Sequence, residues 1–274
     1  MIQKQLITGD NFVLKKLKII IKILFIYPII IVSANNSMAA EGLDLLKNKW
    51  SFEGLFGTFD RASLRRGYQV YNEVCSGCHS MKLLSYRNLS EKGGPEFSRE
   101  DSKNIAASFE VIDGPNSEGE MFTRPGRLSD KFVKPYPNVQ AAEAANGGAY
   151  PPDMSVLAKA RKDGANYIYS ILLGYEDPPE GFELDEGVYY NKYMPGHSIK
   201  MPNVLFDGLL DYADGTEATT QQMAKDITTF LTWASEPSLE ARHKIGFKVI
   251  LYLIILAFVV HLSLKRLWSR IESK

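Results

Sequence analysis

Cys75-Ser76-Gly77-Cys78-His79 decides how this chain is read. Two cysteines separated by two residues and followed directly by histidine form the attachment signature of a c-type haem. In that chemistry the two thiols form thioethers to the porphyrin vinyl groups, and the histidine is the proximal iron ligand. The spacing has a physical reason: one helical turn presents both sulfurs to the macrocycle edge and leaves the histidine beneath the iron. Cys75 and Cys78 are the only cysteines among 274 residues. A four-ligand zinc site needs more partners, and His197, His243 and His261 lack metal-site spacing. A thioredoxin-like dithiol lacks a clear βαβ context and leaves His79 without a role.

On the N-terminal side, Leu64, Tyr68, Tyr71 and Cys75 recur at helical offsets, which predicts a helix over Arg61 to Cys75 with Asp60 as its cap. That helix delivers the cysteines to one face, and Tyr68 and Tyr71 are read as core. Ser51 to Asp60 places aromatics at 52, 56 and 59, but Gly54 and Gly57 leave helix, loop and short strand all open.

On the C-terminal side, Ser102 to Val111 reads as a helix, and Gly119 to Pro137 as a long loop that wraps a prosthetic group or presents a docking face. Asn138 to Ala145 reads as helix. Tyr150-Pro151-Pro152-Asp153 imposes an extended path suited to a rigid wall against a flat macrocycle. Met154 to Arg161 and Ala165 to Leu173 read as helices, the second with Tyr167 and Ile168 on its buried stripe. Arg161 can offer a bidentate fork to a haem propionate, or stand as a solvated charge. For the sixth iron ligand, Met194-Pro195, Met201-Pro202 and His197 stay open, since any methionine can also fill an apolar gap. A last helix places Met223, Ile227, Phe230 and Leu231 on one face, with Gln221, Lys225 and Asp226 toward water.

The formal charge is zero overall, yet residues 41–244 hold 22 basic and 30 acidic side chains, net −8. Such a surface disfavours nucleic acid and can steer a basic protein partner. Residues 1–40 carry Lys4, Lys15, Lys16, Lys18 and Lys22, then an apolar run from Ile19 to Val32, then small residues. That order predicts a cleaved secretory signal, with a retained anchor as the alternative. Residues 245–264 form an apolar stretch long enough to cross a hydrocarbon core of about 30 Å. The tail 265–274, with Lys265, Arg266, Arg270 and Lys274, is predicted to be cytoplasmic by the positive-inside rule, which leaves residues 41–244 on the periplasmic side.

Beyond these readings, an ordered series of motifs resembles the cytochrome c1 family. It includes Trp50-Ser51-Phe52, Gly57-Thr58-Phe59-Asp60, Arg66-Gly67-Tyr68-Gln69-Val70-Tyr71, Cys75 through Met81, Gly148 through Asp153, Tyr193-Met194-Pro195-Gly196, Asp214-Gly215-Thr216 and Ala224-Lys225-Asp226. The resemblance implies a mainly α fold: a c-type cytochrome domain with long loop insertions, plus one C-terminal transmembrane helix. It implies one covalent haem c on Cys75 and Cys78, with His79 and Met201 as axial ligands. Arg161 then matches the arginine at a propionate, Tyr167 a pocket tyrosine, and Pro151 and Pro152 the pocket's double proline. The family often continues its ligand loop as Met-Ala-Pro-Pro or Met-Pro-Pro, whereas this chain has Met201-Pro202-Asn203, and it lacks the extra cysteines of some bacterial relatives.

The implied role is that of the haem-bearing redox subunit of a bacterial ubiquinol:cytochrome c oxidoreductase in the inner membrane. Its implied partners are cytochrome b, the Rieske iron-sulfur protein, a cytochrome c electron acceptor and the lipid bilayer, with no nucleic acid. A stand-alone membrane-anchored cytochrome c shuttle is the alternative, and a haem enzyme or gas sensor requires an exchangeable sixth position.

Overall fold

A computed structural model describes residues 43–272, so the expected signal over 1–40 and the tail residue Lys274 lie outside the described residues. The chain forms α1 (Arg61–Val70), a widened turn (Tyr71–Cys75), a 3-10 turn (Tyr86–Ser90), α2 (Arg99–Ala107), β1 (Glu110–Asp113) and β2 (Phe122–Pro125). There follow α3 (Val139–Ala145), α4 (Gly164–Leu173), β3 (Tyr189–Tyr190), β4 (Ser198–Ile199), α5 (Thr220–Ser235) and α6 (Leu239–Glu272). The strands make two separate antiparallel pairs, β1 with β2 and β3 with β4, so the fold is mainly α-helical.

α1 begins where its cap dictates. Asp60 is extended, and its carboxylate accepts from the backbone N–H of Ala62 at 2.9 Å and Ser63 at 3.4 Å. Leu64, Tyr68 and Tyr71 are buried along the expected stripe. Gly67 lies between them, where α1 crosses α5. A Cβ there would sit 2.1 Å from the carbonyl oxygen of Asp226 and 2.7 Å from Cβ of Phe230. The absent side chain therefore allows the two backbones to touch. That approach assembles an aromatic core in which Phe230 lies 5.8 Å from Tyr68 and Phe132 lies 4.8 Å from Tyr86, ring centre to ring centre.

Asp226 does not face water as its sequence position suggests; it is fully buried at this crossing. Its carboxylate accepts from Ser63 Oγ at 2.6 Å, Arg66 Nε at 2.8 Å and Gln222 Nε2 at 2.9 Å. Ser63 and Arg66 on the facing helix, with Gln222 one turn back on α5, satisfy the buried charge, and periodicity within α5 alone carries no sign of the first two. Arg66 also donates to Asp214 at 2.7 Å.

Two helix expectations change. α2 is capped by Ser98 and ends at Ala107, and Glu110–Asp113 leaves as a strand paired to Phe122–Pro125 inside the expected loop. Met154 to Arg161 is a series of turns. The Met154 N–H donates to the Ser80 carbonyl at 2.8 Å and Ser155 Oγ accepts from the Leu83 N–H at 3.0 Å, which ties the start of the segment to the chain after His79, and the local backbone bonds that follow close single turns only.

α6 starts before the apolar stretch and continues through it without a break. Its first turn belongs to the globular part, because Leu239 and Glu240 are buried. The Glu240 carboxylate accepts from the Phe59 N–H at 2.9 Å and from both terminal nitrogens of Arg61, at 2.8 and 2.9 Å. Beyond Phe247 every described side chain is exposed, with an uninterrupted apolar run from Val249 to Val260, as a membrane-spanning helix requires.

Two tests follow from the crossing. Gly67→Ala should lower stability by about 1–3 kcal/mol, measured by thermal unfolding, because the added methyl meets backbone that cannot yield. The Thr216 N–H and then Arg66 pull the Asp214 carboxyl from 3.8 to about 2. Since the folded value is the lower one, the contribution is full above pH 3.8 and is lost as pH falls toward 2. Thermal unfolding across that range should show wild type losing its advantage over Asp214→Asn on acidification, and a gap that widens in acid contradicts this.

Candidate cofactor site

The end of α1 builds the site. From Tyr71 the helix widens, and the Ser76 N–H reaches back five residues to the Tyr71 carbonyl at 2.8 Å. The next turn is closed by the Cys78 and His79 N–H groups, both on the Cys75 carbonyl, at 3.1 and 2.9 Å. Local backbone alone thus brings Cys75, Cys78 and His79 together. Cys75 is half-buried and Cys78 exposed. Burial, aided by the neighbouring Cys78, pushes the Cys75 thiol up to about 12.

His79 is oriented from across the fold. Its Nδ1 lies 2.9 Å from the Pro152 carbonyl oxygen. A carbonyl can only accept, so Nδ1 carries the proton and Nε2 presents its lone pair. Burial lowers the His79 pKa against the opposing pull of that carbonyl and of Asp153, which favours the neutral, ligating form. The double proline holds the carbonyl in place, since neither residue can join a helix. Pro151 and Cys78 line one cleft with Tyr136, Val139 and Tyr150.

Asp153 fixes this contact, a role its sequence context did not announce. Its carboxylate accepts from Ser80 Oγ at 2.8 Å, the Lys82 N–H at 2.9 Å and the Ser155 N–H at 3.0 Å. Burial opposes its charge, but the donors at Ser155, Lys82 and Ser80 outweigh it and hold the carboxyl below the usual range. Asp153 therefore ties the Pro151-Pro152 segment to the residues that follow His79. The only sequence signal was an acid directly after the prolines.

The remaining candidates form a second group. Arg161 places its guanidinium 6.0 Å over the Tyr167 ring while donating to its neighbouring Ala160 carbonyl at 3.1 Å. The Tyr167 hydroxyl meets Met194 Sδ at 3.6 Å, not Met201. The Met201 carbonyl accepts from the Tyr175 hydroxyl at 2.9 Å, and among the described residues no hydrogen bond reaches its sulfur. His197 sits at φ 56°, stacked on Tyr190 with ring centres 5.6 Å apart, and its Nδ1 is buried without a partner. Asn191 anchors this loop: its Nδ2 donates to the Ile171 carbonyl on α4 at 2.8 Å and its Oδ1 accepts from the Tyr193 N–H at 3.1 Å. Sequence reasoning missed Asn191, whose only sign was a lone amide among tyrosines.

The donor set fits a haem c better than a bare ion. Two thiols at attachment spacing stand beside an imidazole whose Nε2 is left to bind iron, and among the described residues no group of three or more His, Cys, Asp or Glu gathers around a metal position.

Comparison with known proteins agrees with the spacing. The Cytochrome C1 family model matches residues 50–271. "Cytochrome c1 2, heme protein, mitochondrial" of Arabidopsis thaliana is 50% identical over 242 residues, which cover 88% of this chain and 78% of that one. "Cytochrome c1" of Rhodospirillum rubrum is 47% identical over 248 residues, covering 84% and 90%. "Cytochrome b/c1" of Bradyrhizobium diazoefficiens is 46% identical over 257 residues, covering 86% of this chain but 37% of that one.

Asp153→Asn keeps the shape and removes the charge. Amide hydrogen exchange should accelerate at Lys82 and Ser155 while protection in α1 and α5 is unchanged. Uniform acceleration across the fold would contradict a local tether.

Proposed function

Since the chain belongs to the cytochrome c1 family, we propose that it carries one covalent haem c and passes electrons from a Rieske iron-sulfur protein to a cytochrome c. Membership of the family gives it a cytochrome c1-type electron-transfer role in a bc1-like complex, as a redox subunit and not a self-sufficient catalyst. The observation that carries the reading is the Pro152 carbonyl on His79 Nδ1, which leaves Nε2 beside two thiols at haem-attachment spacing.

A bound haem c supplies one-electron chemistry between Fe(II) and Fe(III). Cys75 and Cys78 would hold it as thioethers and His79 Nε2 would supply a nitrogen ligand to its iron. Met201 would supply the sulfur ligand: its main chain is tethered by Tyr175, and its sulfur is free of the hydroxyl contact that Met194 makes. Arg161 would answer a propionate from its place over Tyr167, and Pro151 and Pro152 would wall the pocket.

Cytochrome b is the membrane partner, a reading supported by a relative whose name joins the two proteins. Residues 245–264 span the bilayer, residues 41–244 face the periplasm, and the basic tail over 265–274 lies in the cytoplasm, following its Lys265, Arg266 and Arg270. The relatives include mitochondrial and bacterial proteins, and the signal-like order of residues 1–40 supports a bacterial inner membrane.

Rapid mixing of membranes with quinol tests the electron path. Reduction of this haem should disappear when the iron-sulfur subunit is deleted, and unchanged reduction would contradict the proposal and favour a stand-alone shuttle. Visible and near-infrared spectra test the ligand. Met201→Leu should lose the methionine-to-iron charge-transfer band while keeping covalent haem, and Met194→Leu should keep both; the reverse pattern overturns the choice of Met201.

A further inference from the structure

From Ser51 to Thr58 the chain makes a tight turn that exposes two large apolar side chains at its tip. Its base is rigid. Trp50, Phe52 and Phe59 are buried, the Thr58 N–H donates to the Ser51 carbonyl at 2.9 Å, and the Gly57 N–H to the Gly54 carbonyl at 3.3 Å. Gly54 has φ 81°, and a Cβ on Gly57 would lie 2.2 Å from the Phe52 carbonyl oxygen, so the turn needs both glycines. At the tip Leu55 is 60% exposed and Phe56 is 70% exposed.

The tip meets α6 at a definite height. The Phe56 ring lies 5.8 Å from that of Phe247, and His243 Nδ1 lies 3.3 Å from the Gly57 carbonyl one turn earlier. Phe247 is two residues before Val249, where the uninterrupted apolar run begins, a step of about 3 Å along the helix axis. The tip therefore stands level with the membrane boundary of α6, and its apolar surface is continuous with Phe247.

We infer that Leu55 and Phe56 enter the lipid interface beside α6 and give the domain a second point of contact with the bilayer. Interfacial side chains bury to a depth of about 5–10 Å, within reach of a tip at this height. With the first turn of α6 clamped through Glu240 to Arg61 and Phe59, two contacts instead of one fix how the domain leans on the membrane.

The test uses the full-length chain purified from membranes with its accompanying subunits and placed in phosphatidylcholine vesicles. Leu55→Cys and, as a water-exposed reference, Ile112→Cys (Ile112 is 73% exposed) are spin-labelled, and collisions with oxygen and with a soluble nickel chelate are measured. Label uptake by the unsubstituted chain reports separately on whether Cys75 and Cys78 are consumed by haem. A several-fold higher oxygen-to-nickel ratio at position 55 than at 112 supports the inference. Equal ratios mean the tip is in water, and loss of both collisions at 55 means a protein covers it; either result overturns the inference.

Discussion

The hydrogen bond between His79 Nδ1 and the Pro152 carbonyl is the constraint on which the site depends, because it joins segments 73 residues apart and sets which nitrogen is left to bind iron. Cysteine spacing needs only a helical turn, but the imidazole orientation needs a fixed acceptor. Two prolines stiffen that acceptor, and Asp153 ties it back to the chain just past His79. The result is a neutral imidazole held by groups that do not titrate at physiological pH.

α1 transmits this order in both directions. At its C-terminal end it widens into the turn that carries the cysteines, and at its N-terminal end Arg61 grips Glu240 on the helix that enters the membrane. Midway, Gly67 lets α5 approach within backbone contact, and Asp226 locks the crossing with Arg66 and Ser63. A helix of about 15 Å therefore links the membrane helix to the attachment turn.

Local chemistry made much of this legible in the sequence. The CxxCH spacing, the Asp60 cap and the stripe of Leu64, Tyr68 and Tyr71 act within about two turns of helix, and the apolar run of α6 is continuous along one element. Misreadings and omissions came where partners are distant. Asp226 looks solvated by periodicity, yet two of its donors, Ser63 and Arg66, sit on α1. Met154 to Arg161 has a helical pattern, yet its Met154 N–H donates to Ser80 and its Ser155 hydroxyl accepts from Leu83. Asp153 and Asn191 act through backbone groups that no side-chain pattern reports. Val111 ends a helical pattern, but its partner is Arg124 on β2, beyond the intervening turn.

The most direct measurement is a heteronuclear magnetic resonance spectrum of the haem-loaded protein with 15N-labelled histidine, in oxidised and reduced states. The account predicts that His79 Nδ1 carries a slowly exchanging proton in both states, while Nε2 carries none and shows the large paramagnetic shift of an iron-bound nitrogen on oxidation. An Nδ1 without a proton, or an Nε2 insensitive to the oxidation state, would contradict it.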